Sequence, residues 1–208
     1  MRESEKRKVK SEKEELRVRL KQTLSNLSLD HWRLGAEGVS ARLDRLIQDS
    51  GARTVMFFFP TAGEVDVGAA AVACLGRGVR VCLPRAGWDD STIVPKQVTG
   101  WGENLSVRRH GIREPAESAP SVDSADLDLI VVPGLGFDAV GGRLGRGGGF
   151  YDRFLSRPGV RAWKVAVGLD EQVVESVPME AWDVRMDALV TPTRTLVFRA
   201  FDGPPTAH

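Results

Sequence analysis

Histidine and cysteine are scarce in this chain, with three histidines (His31, His110, His208) and two cysteines among 208 residues. They fall into no catalytic-triad grouping and no zinc-type spacing. Hydrolytic triad and zinc chemistry are therefore not expected, and Cys74 and Cys82 read as buried free thiols in a reducing cytosol. An excess of one charge is missing too. Twenty-nine Lys+Arg against 28 Asp+Glu leave a formal net charge of +1, so no global field draws the chain to nucleic acid or an anionic membrane. No apolar run approaches the roughly eighteen residues that span a bilayer. No apolar segment of a secretory signal opens the chain, and no internal repeat is visible. The expectation is one cytoplasmic domain over residues 1–208, a monomer or weak homodimer acting on small molecules, with residues 1–10 frayed and 202–208 a loose tail.

What the chain has in excess is glycine, concentrated in one place. Half of the sixteen residues from Gly134 to Gly149 are glycine. The mainly apolar run Leu127 to Val132, stopped by Pro133, reads as a buried strand before them. Gly149-Phe-Tyr-Asp-Arg-Phe-Leu reads as a helix start after them, with Phe150, Phe154 and Leu155 inward. The segment is thus expected as strand, glycine-rich loop, helix. Such a loop can turn backbone N–H groups onto an anion, beside the positive end of the next helix. Arg143 and Arg146 add fixed charge and paired donors. Neither the Walker pattern nor G-x-G-x-x-G is matched. The competing reading is a mobile surface loop, against which stand the two charges and two aromatics woven among the glycines.

Elsewhere the pattern alternates helix and strand. Leu16, Leu20, Leu24 and Leu27 form one helical stripe, with Ser11 and Glu14 as a capping box. A second helix is expected over Asp30–Asp49, with Leu34, Val39, Leu43, Leu46 and Ile47 inward and Gly51 ending it. Strands are expected at Thr54–Phe59, at Val79–Leu83 with Pro84 as its stop, at Trp163–Gly168, at Ala188–Thr191 and at Thr195–Phe198. Val67–Leu75 is a small-residue helix. Ile93, Val94, Val98 and Leu105–Val107 hint at further strands, and Pro115–Asp123 reads as a surface linker. This alternation predicts a three-layer α/β/α fold with a mainly parallel sheet. In such sheets ligands sit beyond the carboxyl ends of strands, which places Glu64 and Arg85 on the ligand side. Glu64 can equally serve as an acid at a helix start. Lys13 and Arg17 share a helical face, where solvated charge is the usual outcome. Trp88 and Trp101 can wall a pocket or pack in a core.

The string Pro133 to Leu155, PGLGFDAVGGRLGRGGGFYDRFL, resembles the signature of the 5-formyltetrahydrofolate cyclo-ligase family. Ile112–Pro115 resembles the family's I-x-E-P, Gly63–Asp66 its G-E-[VI]-[DE], and Pro178–Asp187 its P-x-E-x-H-D-x-x-[VM]-D. In the last, Trp182 stands where a histidine is usual. The resemblance implies a fold like that of CoA transferases and ribose-phosphate isomerases. It implies ATP- and Mg²⁺-dependent conversion of 5-formyltetrahydrofolate to 5,10-methenyltetrahydrofolate. On it, ATP is expected against Lys13, Arg17, Arg143, Leu144, Gly145, Arg146, Gly147, Gly148, Gly149, Phe150 and Tyr151, with Lys10 competing with Lys13. Folate is expected against Phe59, Glu64, Arg146, Gly147, Gly148, Gly149 and Phe150. Asp152 and Asp183 are the expected magnesium ligands, although each can instead be a helix or loop cap. Arg146 is the expected stabiliser of the transferring phosphoryl group. Some members carry lysine at the position of Gly148. A folate-binding relative without turnover, and an isomerase- or transferase-type enzyme on the same fold, are the alternatives.

Overall fold

The computed structural model describes residues 3–203; Met1, Arg2 and all of the expected 202–208 tail beyond Gly203 lie outside them. Helix α1 spans Glu3–Ser25 and α2 Leu29–Ser50. Then come β1 (Thr54–Met56), α3 (Gly68–Gly76), β2 (Arg80–Gly87), β3 (Thr92–Val98), β4 (Leu105–Val107) and β5 (Arg113–Pro115). They are followed by β6 (Leu129–Val132), β7 (Gly136–Asp138), β8 (Arg143–Leu144), α4 (Phe150–Leu155), β9 (Trp163–Val167), β10 (Val173–Val174), β11 (Ala188–Val190) and β12 (Thr195–Val197).

The main sheet runs β12-β11-β9-β6-β1-β2-β3. Its five central strands are parallel and each edge strand is antiparallel. Read in chain order, the parallel strands stand 2-1-3-4-5, so the winding reverses between β1 and β6. A crevice opens at such a reversal, outside the carboxyl ends of the two strands. The sheet is buried on both faces. Val55, Val81, Leu129, Val131, Val165 and Val190 face α2 and α3, where Val39, Leu43, Ile47, Ala70 and Cys74 close the layer. Met56, Cys82, Ile130, Val132, Ala166 and Leu189 face the other way, onto Phe137, Phe154 and Leu155. The three-layer α/β/α expectation therefore holds.

Helix α1 covers a different surface. Leu16 and Leu20 pack on Leu144 and Val177, while Leu24 enters the main core. The stripe thus clasps the small sheet β10-β7-β8, which grows out of the glycine-rich segment. The approach is close enough that a Cβ at Gly136 would stand 2.5 Å from Leu20 Cδ1.

Several expectations are corrected. Glu3 to Lys10 are helical rather than frayed, because Glu, Lys and Arg are good helix formers. Ser11 consequently caps nothing and donates to Glu15 Oε1 at 3.1 Å. Leu34 is 57% exposed, since α2 turns Gly35, Val39, Leu43 and Ile47 inward. β1 ends at Met56, although Phe57 and Phe58 stay buried beyond it. Pro84 does not stop β2; it faces Pro95 across the antiparallel pair with β3, a pairing in which neither residue needs an N–H. Asp128 interrupts the run before β6, is buried, and accepts the Arg53 and Thr54 N–H groups at 2.7 and 2.9 Å.

The glycine-rich segment is only half a loop. Asp138 gathers it: Oδ1 accepts from Val140 and Gly142 N–H, and Oδ2 from Val177 N–H. Residues 136–144 thereby become a hairpin, and only Gly145 to Gly149 remains irregular.

Candidate active site

The crevice at the β1/β6 reversal is a cleft of about 1080 Å³. Phe58, Phe59, Thr61 and Glu64 enter from β1, Pro84, Ala86 and Trp88 from β2, and Pro133 and Gly134 from β6. Every residue expected to bind ATP, folate or magnesium lines it: Lys13, Arg17, Phe59, Glu64, the run Arg143 to Asp152, and Asp183. They arrive from α1, the β1 loop, the glycine segment, α4 and the segment before β11. Arg85 is not among them; its guanidinium donates to Pro115 O at 2.8 Å and anchors β5. Trp101 packs instead against Phe57 and Phe59, with centroids 6.3 and 5.2 Å away.

At one end the charges hold one another. Lys13 Nζ bridges Glu180 Oε2 at 2.7 Å and Asp183 Oδ2 at 2.5 Å, with all three side chains nearly buried. Arg17 Nε donates to Gly145 O at 3.0 Å, tying α1 to the start of the loop. Lys10 lines the same end, is exposed, and makes no ion pair among the described residues. Lys10, Lys13 and Arg17 share one helical face, so the choice between the two lysines is between a free cation and a committed one. Arg143 is buried and donates to Asp152 Oδ1 at 2.9 Å and Pro133 O at 3.3 Å. Its place is beneath the loop.

Arg146 lies across the cleft. Its Nε donates to Glu64 Oε1 at 3.1 Å and its Nη2 to Ala62 O at 3.0 Å. Glu64 Oε2 accepts from both the N–H and the hydroxyl of Thr61, each at 2.8 Å. Glu64 therefore does not cap α3; Asp66 accepts the Gly68 N–H there. Gly147, at φ 110°, gives the loop a conformation that a side chain would strain. The helix that follows has six residues, so it offers free N–H groups rather than a long-helix dipole. The Tyr151 hydroxyl is enclosed without a partner; burial pushes its pKa up, Glu64 adds to this and Arg143 opposes it.

The other end is more apolar. Phe59, Trp88, Ile93, Ile112 and Phe150 wall it. The Trp88 and Phe150 rings meet edge-on at 5.2 Å, and the Arg113 guanidinium lies 4.9 Å from the Phe59 ring. Glu114, 2% exposed, stands in this wall. Trp182 is exposed at the rim in the place of the usual histidine. Thr61, Glu114 and Glu180 are the residues sequence reasoning passed over. Each sits inside or two residues from a recognised string, but its partner is visible only in three dimensions.

The donors for a divalent cation are oxygens. Asp152 Oδ2, Asp183 Oδ1 and Glu180 Oε1 accept no hydrogen bond among the described residues. No three of the described His, Cys, Asp and Glu side chains are gathered tightly enough to hold a metal alone. This set fits a hard cation that brings phosphate oxygens and water as its remaining ligands.

Sequence and structure comparisons find relatives of one family. The 5-formyltetrahydrofolate cyclo-ligase family matches residues 9–192. The Mycolicibacterium smegmatis 5-formyltetrahydrofolate cyclo-ligase is 37% identical over 151 residues, covering 70% of this chain and 76% of its own. A probable 5-formyltetrahydrofolate cyclo-ligase of Caenorhabditis elegans is 27% identical, covering 91% and 97%. The NMR structure of Aquifex aeolicus 5,10-methenyltetrahydrofolate synthetase superposes with a TM-score of 0.77 at 36% identity, covering 94% of this chain and 96% of that one.

Proposed function

The chain belongs to the 5-formyltetrahydrofolate cyclo-ligase family, and from that premise we propose that its cleft converts 5-formyltetrahydrofolate to 5,10-methenyltetrahydrofolate at the expense of ATP. The observation that carries the reading is the convergence of the anion-gripping loop Gly145–Gly149, Arg146, Glu64 and the Lys13–Asp183 pair in one cleft at the sheet's switch point.

A formyl oxygen on N5 is a poor leaving group, and phosphorylation makes it a good one. The oxygen attacks the γ-phosphorus in line and ADP leaves. N10 then forms its bond to the activated carbon, and the carbon–oxygen bond breaks as phosphate departs. No protein nucleophile is needed, and the work is positioning and charge neutralisation. Glu64, its Oε2 fixed by Thr61, presents Oε1 to the guanidine-like edge of the pterin. Phe59 and Phe150 flank the ring. The loop N–H groups, Arg17 and Lys10 or Lys13 hold the triphosphate, and Arg146, once off Glu64, faces the transferring phosphoryl group. Asp152 and Asp183 would hold magnesium, which screens phosphate charge when bound. Arg143 fixes Asp152 from below.

Two buried free thiols favour a reducing cytosol, and no helix among the described residues is long and apolar enough to cross a membrane. The test is the near-ultraviolet absorbance of the methenyl product. Purified protein with 5-formyltetrahydrofolate develops it on addition of Mg-ATP and not before. Product formed equally without nucleotide would refute the ATP dependence, and none under any condition would refute the activity.

A further inference from the structure

Six aromatic side chains line the cleft among the described residues: Phe58, Phe59, Trp88, Phe150, Tyr151 and Trp182. Five are buried or engaged. Phe58 lies in the core, Phe59 packs on Trp101 and under Arg113, and Trp88 and Phe150 meet edge-on. Tyr151 has its ring 5.8 Å from the Arg143 guanidinium and its hydroxyl enclosed. Trp182 differs: it is 54% exposed and, among the described residues, meets no other ring and no guanidinium.

A single exposed apolar side chain is ordinary on a protein surface. Two features set Trp182 apart. The first is how firmly its backbone is held. The Asp183 N–H donates to Glu180 O at 3.0 Å, and Asp183 Oδ2 accepts the Glu180 N–H at 2.6 Å, which closes residues 180–183 into a turn. Lys13 clamps both carboxylates from α1, and the Val184 N–H reaches Asp152 Oδ1 at 3.4 Å. Trp182 is thus an indole on a fixed base, so a flat ring settling on it orders little backbone.

The second feature is the end of the cleft it occupies. In the proposed function, on which this inference rests, the γ-phosphate meets the formyl oxygen beside Arg146, with the pterin between Phe59 and Phe150. The triphosphate then runs back along the loop toward Lys10, Lys13 and Arg17. The ribose and base follow the α-phosphate, away from the pterin, to where α1 meets the 180–183 turn. Of the six aromatics only Trp182 stands on that turn.

We propose that Trp182 is the platform on which the nucleotide's base stacks, giving the site its preference for a nucleoside triphosphate over bare polyphosphate. Every base has a π-face, so the contact selects for the presence of a base and does not read its edges. An incidental surface tryptophan predicts different data.

The test is Trp182→Ala, which removes an exposed ring and leaves the contacts that hold the turn. Expected is a KM for ATP raised about tenfold, with kcat and the KM for folate each within about threefold. Calorimetry should show Mg-ATP affinity falling about tenfold, while affinity for inorganic tripolyphosphate, which carries no base, stays within about twofold. Trp182→Phe, which keeps a ring, should recover most of the loss. An ATP affinity within about twofold of wild type in Trp182→Ala overturns the assignment. So do equal losses for ATP and tripolyphosphate, which would place the fault in the turn and its carboxylates. Wild-type protein that binds no Mg-ATP would sink the functional reading and this assignment together; normal wild-type binding with an unimpaired variant would sink the assignment alone.

Discussion

The two ends of the cleft handle charge in opposite ways. At the loop end every carboxylate is neutralised: Lys13 bridges Glu180 and Asp183, Arg143 holds Asp152, and Arg146 lies on Glu64. At the aromatic end Glu114 is buried, with the Trp88 indole on its carboxyl and Arg108 3.9 Å away. A site for a triphosphate must keep cations close without exposing them to one another, and pairing them with carboxylates does so until a more highly charged ligand exchanges in. A site for a neutral ring cannot trade charge, so its selectivity rests on shape and on aromatic contact. The loop end is therefore expected to respond to mutation through ion pairs, and the aromatic end through packing and binding.

Four substitutions break or sharpen that contrast, in descending order of effect. Arg146→Ala removes the cation expected on the transferring phosphoryl group, and kcat should fall about a thousandfold while folate affinity changes little. Stopped-flow turnover with equilibrium folate titration checks this, and near-normal kcat would displace Arg146 from that role. Lys13→Ala leaves Glu180 and Asp183 facing each other, nearly buried, without a cation. Unfolding free energy should drop by about 3 kcal/mol in urea, with a raised KM for ATP. An unchanged denaturation midpoint would mean that the pair is not held in solution. Glu64→Gln keeps the Thr61 contacts but loses the charge, and folate affinity should weaken about tenfold more than ATP affinity by calorimetry. Equal losses would give Glu64 a structural part only.

The smallest effect is on stability at Glu114. Its carboxyl titrates higher in the folded chain than in the unfolded one, so the folded state binds the proton more tightly. Stability therefore declines as pH rises from the unfolded carboxyl value through the raised folded one. Glu114→Gln should lose that decline and match or exceed wild type at neutral pH by up to about 1 kcal/mol. Thermal unfolding across that pH range reads it, and a variant less stable at every pH would mean that the carboxylate's contacts with the Ala86 N–H and the Trp88 indole outweigh its burial.

The difference between the two ends was only partly legible in the sequence. The apolar runs marked the strands, and the leucine stripe of α1 marked a helix; both signals are local periodicities that burial enforces. The winding order 2-1-3-4-5 was not legible, because nothing local records which strand lies beside which. Pro84 was misread because its partner, Pro95, is eleven residues away on another strand. The glycine run concealed a hairpin whose organiser, Asp138, acts through N–H groups as distant as Val177. Motif residues named the cleft's lining, since spacing carries them, whereas the Lys13–Asp183 pairing joins opposite ends of the chain. Sequence thus located the site's parts and left their charge state to the fold.

The most direct test is a crystal structure with 5-formyltetrahydrofolate and a non-hydrolysable ATP analogue. The account predicts phosphates against Gly145–Gly149 and Arg146, the pterin edge on Glu64, and the Arg146–Glu64 contact opened. Phosphates bound away from that loop, or a pterin seated elsewhere with the contact intact, would contradict it.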